Sequence, residues 1–175
     1  MTIWRGSRHG SPSFTPYTER VPFLGRTEAS TIEIDPSSLT GAAAALRRMR
    51  PPAQVNRSVL LHGDFWPGNI LWRDGRLVAV IDWEDASIGD PLLDLGVSRL
   101  ELLWAFGVDA MHRFTGLYGT LTAVDLGNLP CWDLYVAAGA ADDLASWGLD
   151  AATERSMREK LQWFAERACA RLPAA

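Results

Sequence analysis

LLHGDFWPGNILWRDGRLVAVIDWEDASIGDPLLDLG, residues 60–96, decides how this chain is read. It holds most of the informative polar residues, in an order that suggests chemistry. A short apolar run, Ser58-Val59-Leu60-Leu61, leads into His62-Gly63-Asp64, and Asn69 comes five residues after Asp64. Ile70-Leu71-Trp72-Arg73 and Leu77-Val78-Ala79-Val80-Ile81 then flank Asp74-Gly75. Two β-prone runs around Asp-Gly are the strongest short-range signal of a hairpin. A hairpin folds the chain back on itself, so Asn69 and Asp82 are expected near its same open end. Asp64, just upstream, can reach that place too.

These residue types suit phosphoryl transfer. Magnesium in such sites accepts oxygen ligands from one or two side chains and leaves the rest to water and phosphate. Asn69 and Asp82 offer two oxygen ligands. A separate carboxylate, Asp64, would accept or orient the proton of an attacking hydroxyl. Protein kinases space a base Asp, a metal-binding Asn and a later metal-binding Asp as H-x-D-x-x-x-x-N followed by D. Here the order is His62-x-Asp64-x-x-x-x-Asn69, with Asp82 after the hairpin.

The stretch resembles the C-terminal lobe of the aminoglycoside phosphotransferase and choline kinase-like family. HGDFWPGN is similar to that family's catalytic loop, and VIDWEDASIGDPLLDLG to its metal-binding Asp segment and following helix. The likeness runs on more loosely through Trp132-Asp133-Leu134-Tyr135 and Trp147-Gly148-Leu149-Asp150 toward the C-terminus. It implies an α+β, mainly α protein: a kinase-like C-terminal lobe with a catalytic-loop hairpin and about five helices. By the same resemblance Asp64 is the catalytic base, Asn69 and Asp82 bind Mg²⁺, and His62 and Asp94 brace the loop. ATP would supply the phosphoryl group and a small-molecule hydroxyl would receive it. The acceptor is left open among aminoglycoside, choline-like amine, homoserine-like amino acid and sugar.

Outward from that stretch, 175 residues suffice for one domain or one lobe of a larger protein. A net charge of −4, from 17 basic and 21 acidic residues, argues against nucleic acid as the main partner. It is compatible with a cationic acceptor. Cys131 and Cys169 have no metal or redox spacing and read as buried free thiols in a reducing cytoplasm. No apolar run reaches the roughly 18 residues of a membrane span, so no membrane partner is expected. Residues 1–34 read as an irregular segment, with a short strand at Thr31–Ile34, and residues 35–175 as the phosphotransferase lobe.

The helices announce themselves by caps. Asp35-Pro36 opens one that runs to about Arg50, where Pro51-Pro52 stops it. After a loop from Trp83 to Gly89, Asp90-Pro91 opens a second, to about Phe106. Asp109 is placed as the cap of a third, from Ala110 to Leu121, and a fourth spans about Leu129–Trp147 before Gly148. Asp150, with Thr153 and Glu154, opens a fifth whose Leu161, Phe164, Ala168 and Leu172 keep a helical period. Glu84 and Asp85 are candidate metal or substrate contacts. So are Asp142 and Asp143 on the fourth helix, which also carries Trp132, Asp133, Tyr135 and Trp147; a solvated acidic face is the plainer reading of that helix.

What normally grips the nucleotide in the resembling family is a separate N-terminal lobe with a phosphate-contacting lysine. This chain has one lysine, Lys160, and neither G-x-G-x-x-G nor G-x-x-x-x-G-K-S/T. The expectation is a truncated descendant of a longer ancestor: a phosphotransferase acting on an alcohol group, incomplete without a nucleotide lobe from a partner chain or from upstream sequence, with self-association as a further way to cover the exposed face. Phe65, Trp66 and Trp83 would then form an exposed apolar docking patch. A non-catalytic relic that acts as a binding protein is the alternative. A metal-dependent phosphohydrolase is a third reading, weakened because clustered metals would want more His or Asp ligands than His9, His62 and His112 can help supply.

Overall fold

The computed structural model describes residues 55–172. The Asp-Gly turn forms as the sequence requires. Asp74 and Gly75 take φ of 50° and 72°, the left-handed pair that matches a tight turn to the twist of its strands. It joins β2 (Ile70–Arg73) to β3 (Arg76–Val80), paired antiparallel from Arg73↔Arg76 back to Ile70↔Val80. A register shift between Leu71 and Trp72 bulges the ladder. The hairpin is thin and wet: Trp72, Leu77 and Val78 are all more than half exposed.

A second antiparallel pair joins β1 (Val59–Leu61) to β4 (Ser87–Gly89), with Leu60 opposite Ile88. The loop expected from Trp83 to Gly89 therefore ends in a strand. Ser87-Ile88-Gly89 carries no strand pattern of its own; its partner lies across the whole catalytic-type stretch. This pair closes residues 62–86 into one looped unit, with the hairpin projecting from it.

Four helices follow. They are α1 (Leu92–Phe106), α2 (Val108–Leu121), α3 (Leu129–Asp143) and α4 (Ala151–Cys169). Two starts are capped as the sequence signals. Asp90 Oδ1 accepts the Leu92 N–H at 3.0 Å. Asp150 Oδ1 accepts from Ala152 and Thr153, and these bonds, with the Thr153 hydroxyl's, hold its carboxyl below the usual range. Two details differ. α2 begins at Val108, so Asp109 lies inside its first turn, where a carboxylate favours the positive end of the helix dipole. The fourth expected helix ends as an α-helix at Asp143 and tightens into a 3-10 turn over Leu144–Trp147 before the left-handed Gly148.

The architecture is thus α+β and mainly helical, with two small antiparallel sheets. The irregular segment expected over residues 1–34, its strand, and the helix expected from Pro36 lie outside the described residues. Among the described residues no helix is long and apolar enough to cross a membrane. Cys131 and Cys169 are free and half-buried, and burial raises both thiols.

The main core lies where α1, α3 and α4 meet, with α2 contributing Met111. Leu100, Leu103, Leu134, Leu161 and Phe164 are at most 2% exposed. Each such side chain is worth roughly 1.5–3 kcal/mol on burial. A smaller cluster of Leu92, Leu95 and Leu129 sits at the α1 N-terminus, under the loop. Trp104 meets Trp147 at 5.7 Å, T-shaped, and its indole N–H donates to the Met157 carbonyl.

One buried ion pair crosses this core. Arg99 of α1 and Asp133 of α3 are each 4% exposed. Nε donates to Oδ1 at 2.9 Å and Nη2 to Oδ2 at 3.0 Å, while Nη1 donates to the Thr115 hydroxyl on α2. Asp133 is therefore neither part of a solvated acidic face nor a substrate contact. Burial pushes its carboxyl up, and the Arg99 and Arg171 charges pull it back. Arg99→Met should lower unfolding stability by about 3–5 kcal/mol, because it strands a buried carboxylate. Arg99→Met with Asp133→Leu should recover most of that loss, as read by urea denaturation.

Candidate active site

The loop after β1 is held from below by α1. Asp94, in the helix's first turn, accepts the His62 N–H on Oδ2 at 2.7 Å and the Gly63 N–H on Oδ1 at 2.9 Å. Two successive backbone donors aimed at one anion need an unusual bend, and Gly63 supplies it with φ of 85°. A Cβ at Gly63 would also run into the Asp85 backbone. Ser98, one helical turn after Asp94, adds a second support. Its hydroxyl donates to the Phe65 carbonyl at 3.2 Å, and to the Asp94 carbonyl at 2.7 Å.

His62 is buried, with both ring nitrogens engaged. Nε2 faces the Ile81 carbonyl at 2.9 Å, and Nδ1 faces the Asp64 N–H at 3.3 Å. A carbonyl can only accept, so Nε2 carries the proton and Nδ1 accepts. An imidazole committed at both nitrogens positions the loop rather than moving protons. Trp83 lies over it at 4.6 Å and Phe65 meets its edge at 5.7 Å.

The 3-10 turn Pro67–Asn69 then delivers Asn69, which is 5% exposed. Its Nδ2 donates to the Asp64 backbone carbonyl at 2.9 Å and to Asp64 Oδ2 at 3.2 Å. Its backbone carbonyl accepts the Ile81 N–H at 2.9 Å, one step beyond the hairpin's last pair. Ile81 is therefore pinned at both ends, by Asn69 and by His62. The next residue, Asp82, is exposed and held at φ of 66°. A non-glycine residue in that region costs of order 1–3 kcal/mol and persists where its surroundings impose it.

The structure thus joins Asp64 directly to Asn69, and places Asp82 immediately after the backbone position that Asn69 grips. With both amide protons spent on Asp64, Asn69 has its side-chain oxygen left for a cation. That oxygen and the Asp82 carboxylate are hard donors of the kind Mg²⁺ prefers. Among the described residues no three His, Cys, Asp or Glu side chains gather into a metal cluster. Glu84 is exposed and Asp85 half-buried beside Gly63. Asp143 is exposed at the end of α3; the Asp142 side chain is outside what is described.

Ser98 was not singled out from the sequence, although its four-residue offset from Asp94 puts both on one helix face. Tyr118 of α2 was missed as well. Burial first, then the Asp94 and Asp90 charges, raise its phenol above the usual range, which puts it in the field of the loop's supports. No signal in the sequence relates it to them. Phe65 and Trp66 are half-buried and Trp83 is 46% exposed, so the apolar patch expected from the three is partial.

Comparison with known proteins settles the lineage. The model of the phosphotransferase enzyme family, APH, matches residues 31–120, just over half of the chain. The chain belongs to that family. Within the described residues the match takes in both sheets, the loop, α1 and nearly all of α2. Acyl-CoA dehydrogenase family member 11 of Rattus norvegicus is 30% identical over 103 residues, and that of Homo sapiens 29% over 102 residues. The Gallus gallus protein is 31% identical over 64 residues. The match covers 49% of this chain but only 13% of the rat and human proteins. No solved structure matches significantly.

Asp94→Asn replaces one acceptor oxygen by an N–H₂ group facing a backbone donor. Hydrogen exchange of the His62 and Gly63 amides should then speed up about tenfold or more, since a bond to a charged group is worth about 1.5–3 kcal/mol. The α4 amides should keep their protection.

Proposed function

We propose that this chain is the kinase-like catalytic lobe of an ATP-dependent small-molecule phosphotransferase. The observation that carries the reading is the contact of Asn69 with Asp64, combined with its backbone hold on Ile81. One short segment thereby ties the base carboxylate to the second carboxylate at Asp82. The family membership supports phosphoryl transfer as the reaction class.

In this reading Asp64 accepts the proton of the acceptor hydroxyl as its oxygen attacks the γ-phosphorus, and ADP leaves with the bridging oxygen. Asn69 orients Asp64 through its amide and presents its oxygen, with Asp82, to Mg²⁺. The ion, when bound with ATP, neutralises charge on the transferred phosphoryl group. Phosphoryl transfer asks little more of the protein than such positioning. The remaining nucleotide contacts belong to a lobe outside the described residues, in this chain, a partner chain or a second copy. Lys160 is no substitute: its Nζ donates to the Trp104 carbonyl at 3.0 Å, between α4 and the end of α1. That same observation favours the second reading, a binding protein that has kept the lobe without its activity.

Titration calorimetry of the whole chain with Mg²⁺ and ATP separates the two. Micromolar binding, about −8 kcal/mol, that disappears in Asp82→Ala supports the phosphotransferase. Asp64→Asn should retain that binding while slowing phosphate transfer by about 10²–10⁴-fold. Absence of any nucleotide binding by the whole chain would move the protein to the second reading.

A further inference from the structure

A cavity of about 280 Å³ opens among the four helices, and none of Asp64, Asn69 and Asp82 lines it. Three arginines converge there, in a chain whose net charge is −4. Its floor is the Arg99–Asp133 pair, whose charges cancel and whose guanidinium is fully engaged by Asp133 and Thr115. Asp133 is the cavity's single carboxylate, and it is already taken. The floor is therefore electrically closed, while the mouth is not.

The mouth belongs to α4 and the turn after it. Trp163, Arg167 and Arg171 recur every four residues, which puts them on one face. The Arg167 guanidinium carbon lies over the Trp163 ring, 5.6 Å from its centroid. This cation–π contact spends none of the fork's N–H groups. Both Arg167 and Arg171 are exposed. Neither guanidinium makes a hydrogen bond or ion pair among the described residues, although the Arg171 charge is felt at Asp133. His112 of α2 stands at the same rim, exposed, and Phe164 and Met111 make the inner wall apolar.

We propose that this cavity binds a small organic phosphate. The phosphate would sit between Arg167 and Arg171, and its apolar body would lie against Trp163 and Phe164. Guanidinium forks match phosphate oxygens two at a time. Two forks and an imidazole N–H suit a three-oxygen head better than a two-oxygen carboxylate. The volume lies at the small end of ligand pockets, which fits one ring with its phosphate and not a nucleoside triphosphate. The site is separate from the catalytic-type loop, so it stands or falls apart from the phosphotransferase reading.

Phenyl phosphate is the probe, titrated calorimetrically into the whole chain at low salt without Mg²⁺. Saturable binding is expected, weakened about tenfold or more in Arg167→Gln/Arg171→Gln. Benzoate should bind more weakly than phenyl phosphate. Arg171→Glu, at an exposed position past the end of α4, tests the same point in a chain whose helices need no rebuilding. Circular dichroism confirms that each variant is folded. The proposal is overturned by lack of saturable binding, by equal binding of benzoate, or by variants that keep full affinity.

Discussion

The Asp94 carboxylate carries the site. Two consecutive backbone N–H groups, of His62 and Gly63, end on its two oxygens. The residues proposed for catalysis lie downstream of that joint: Asp64 is the next residue, and Asn69 folds back on Asp64. A charged acceptor in the first turn of a helix is well placed for this. It benefits from the helix dipole, and the helix is rigid because its opposite face is core. The loop is irregular, and it takes its shape from α1 together with its own bonds, those of Asn69 to Asp64 and of His62 to Ile81.

That rigidity has a second source one turn along. Ser98 faces the loop while the adjacent Arg99 faces the core and grips Asp133 on α3. Neighbouring residues on one helix thus hold the site and the bundle. A buried ion pair adds little net stability over an apolar pair of the same size, but it tolerates few alternative arrangements. Its bidentate geometry, with Thr115 as third partner, sets α1 against both α2 and α3.

The hairpin poses a different question. Trp72, Leu77 and Val78 are exposed on a two-stranded sheet that has no layer over it among the described residues. Two strands alone are marginal in water. Its inner end is nevertheless fixed, because the Asn69–Ile81 bond and the His62 ring clamp the place where Asp82 emerges. The end proposed to hold a cation is the well-held end.

Much of this was legible in the order of residues. Asp74-Gly75 specifies its turn because the backbone there must take positive φ, a purely local demand. Asp90-Pro91 and Asp150 specify helix starts for an equally local reason, the unsatisfied N–H groups of a first turn. The spacing of Asp64, Asn69 and Asp82 follows from the hairpin, since closing two strands brings their ends together. Other features needed the folded chain. β4 exists only because β1 is beside it, and Ser87-Ile88-Gly89 says nothing of that by itself. Asp133 reads as one more acidic residue on a helix until Arg99 arrives from 34 positions away to bury it. The left-handed Asp82 is likewise a product of two distant grips on Ile81. Local sequence determined the turn, the caps and the list of polar candidates, because those answer to backbone geometry within a few residues. Tertiary structure decided which candidates meet and which are buried, because burial and pairing depend on surfaces brought together from far along the chain.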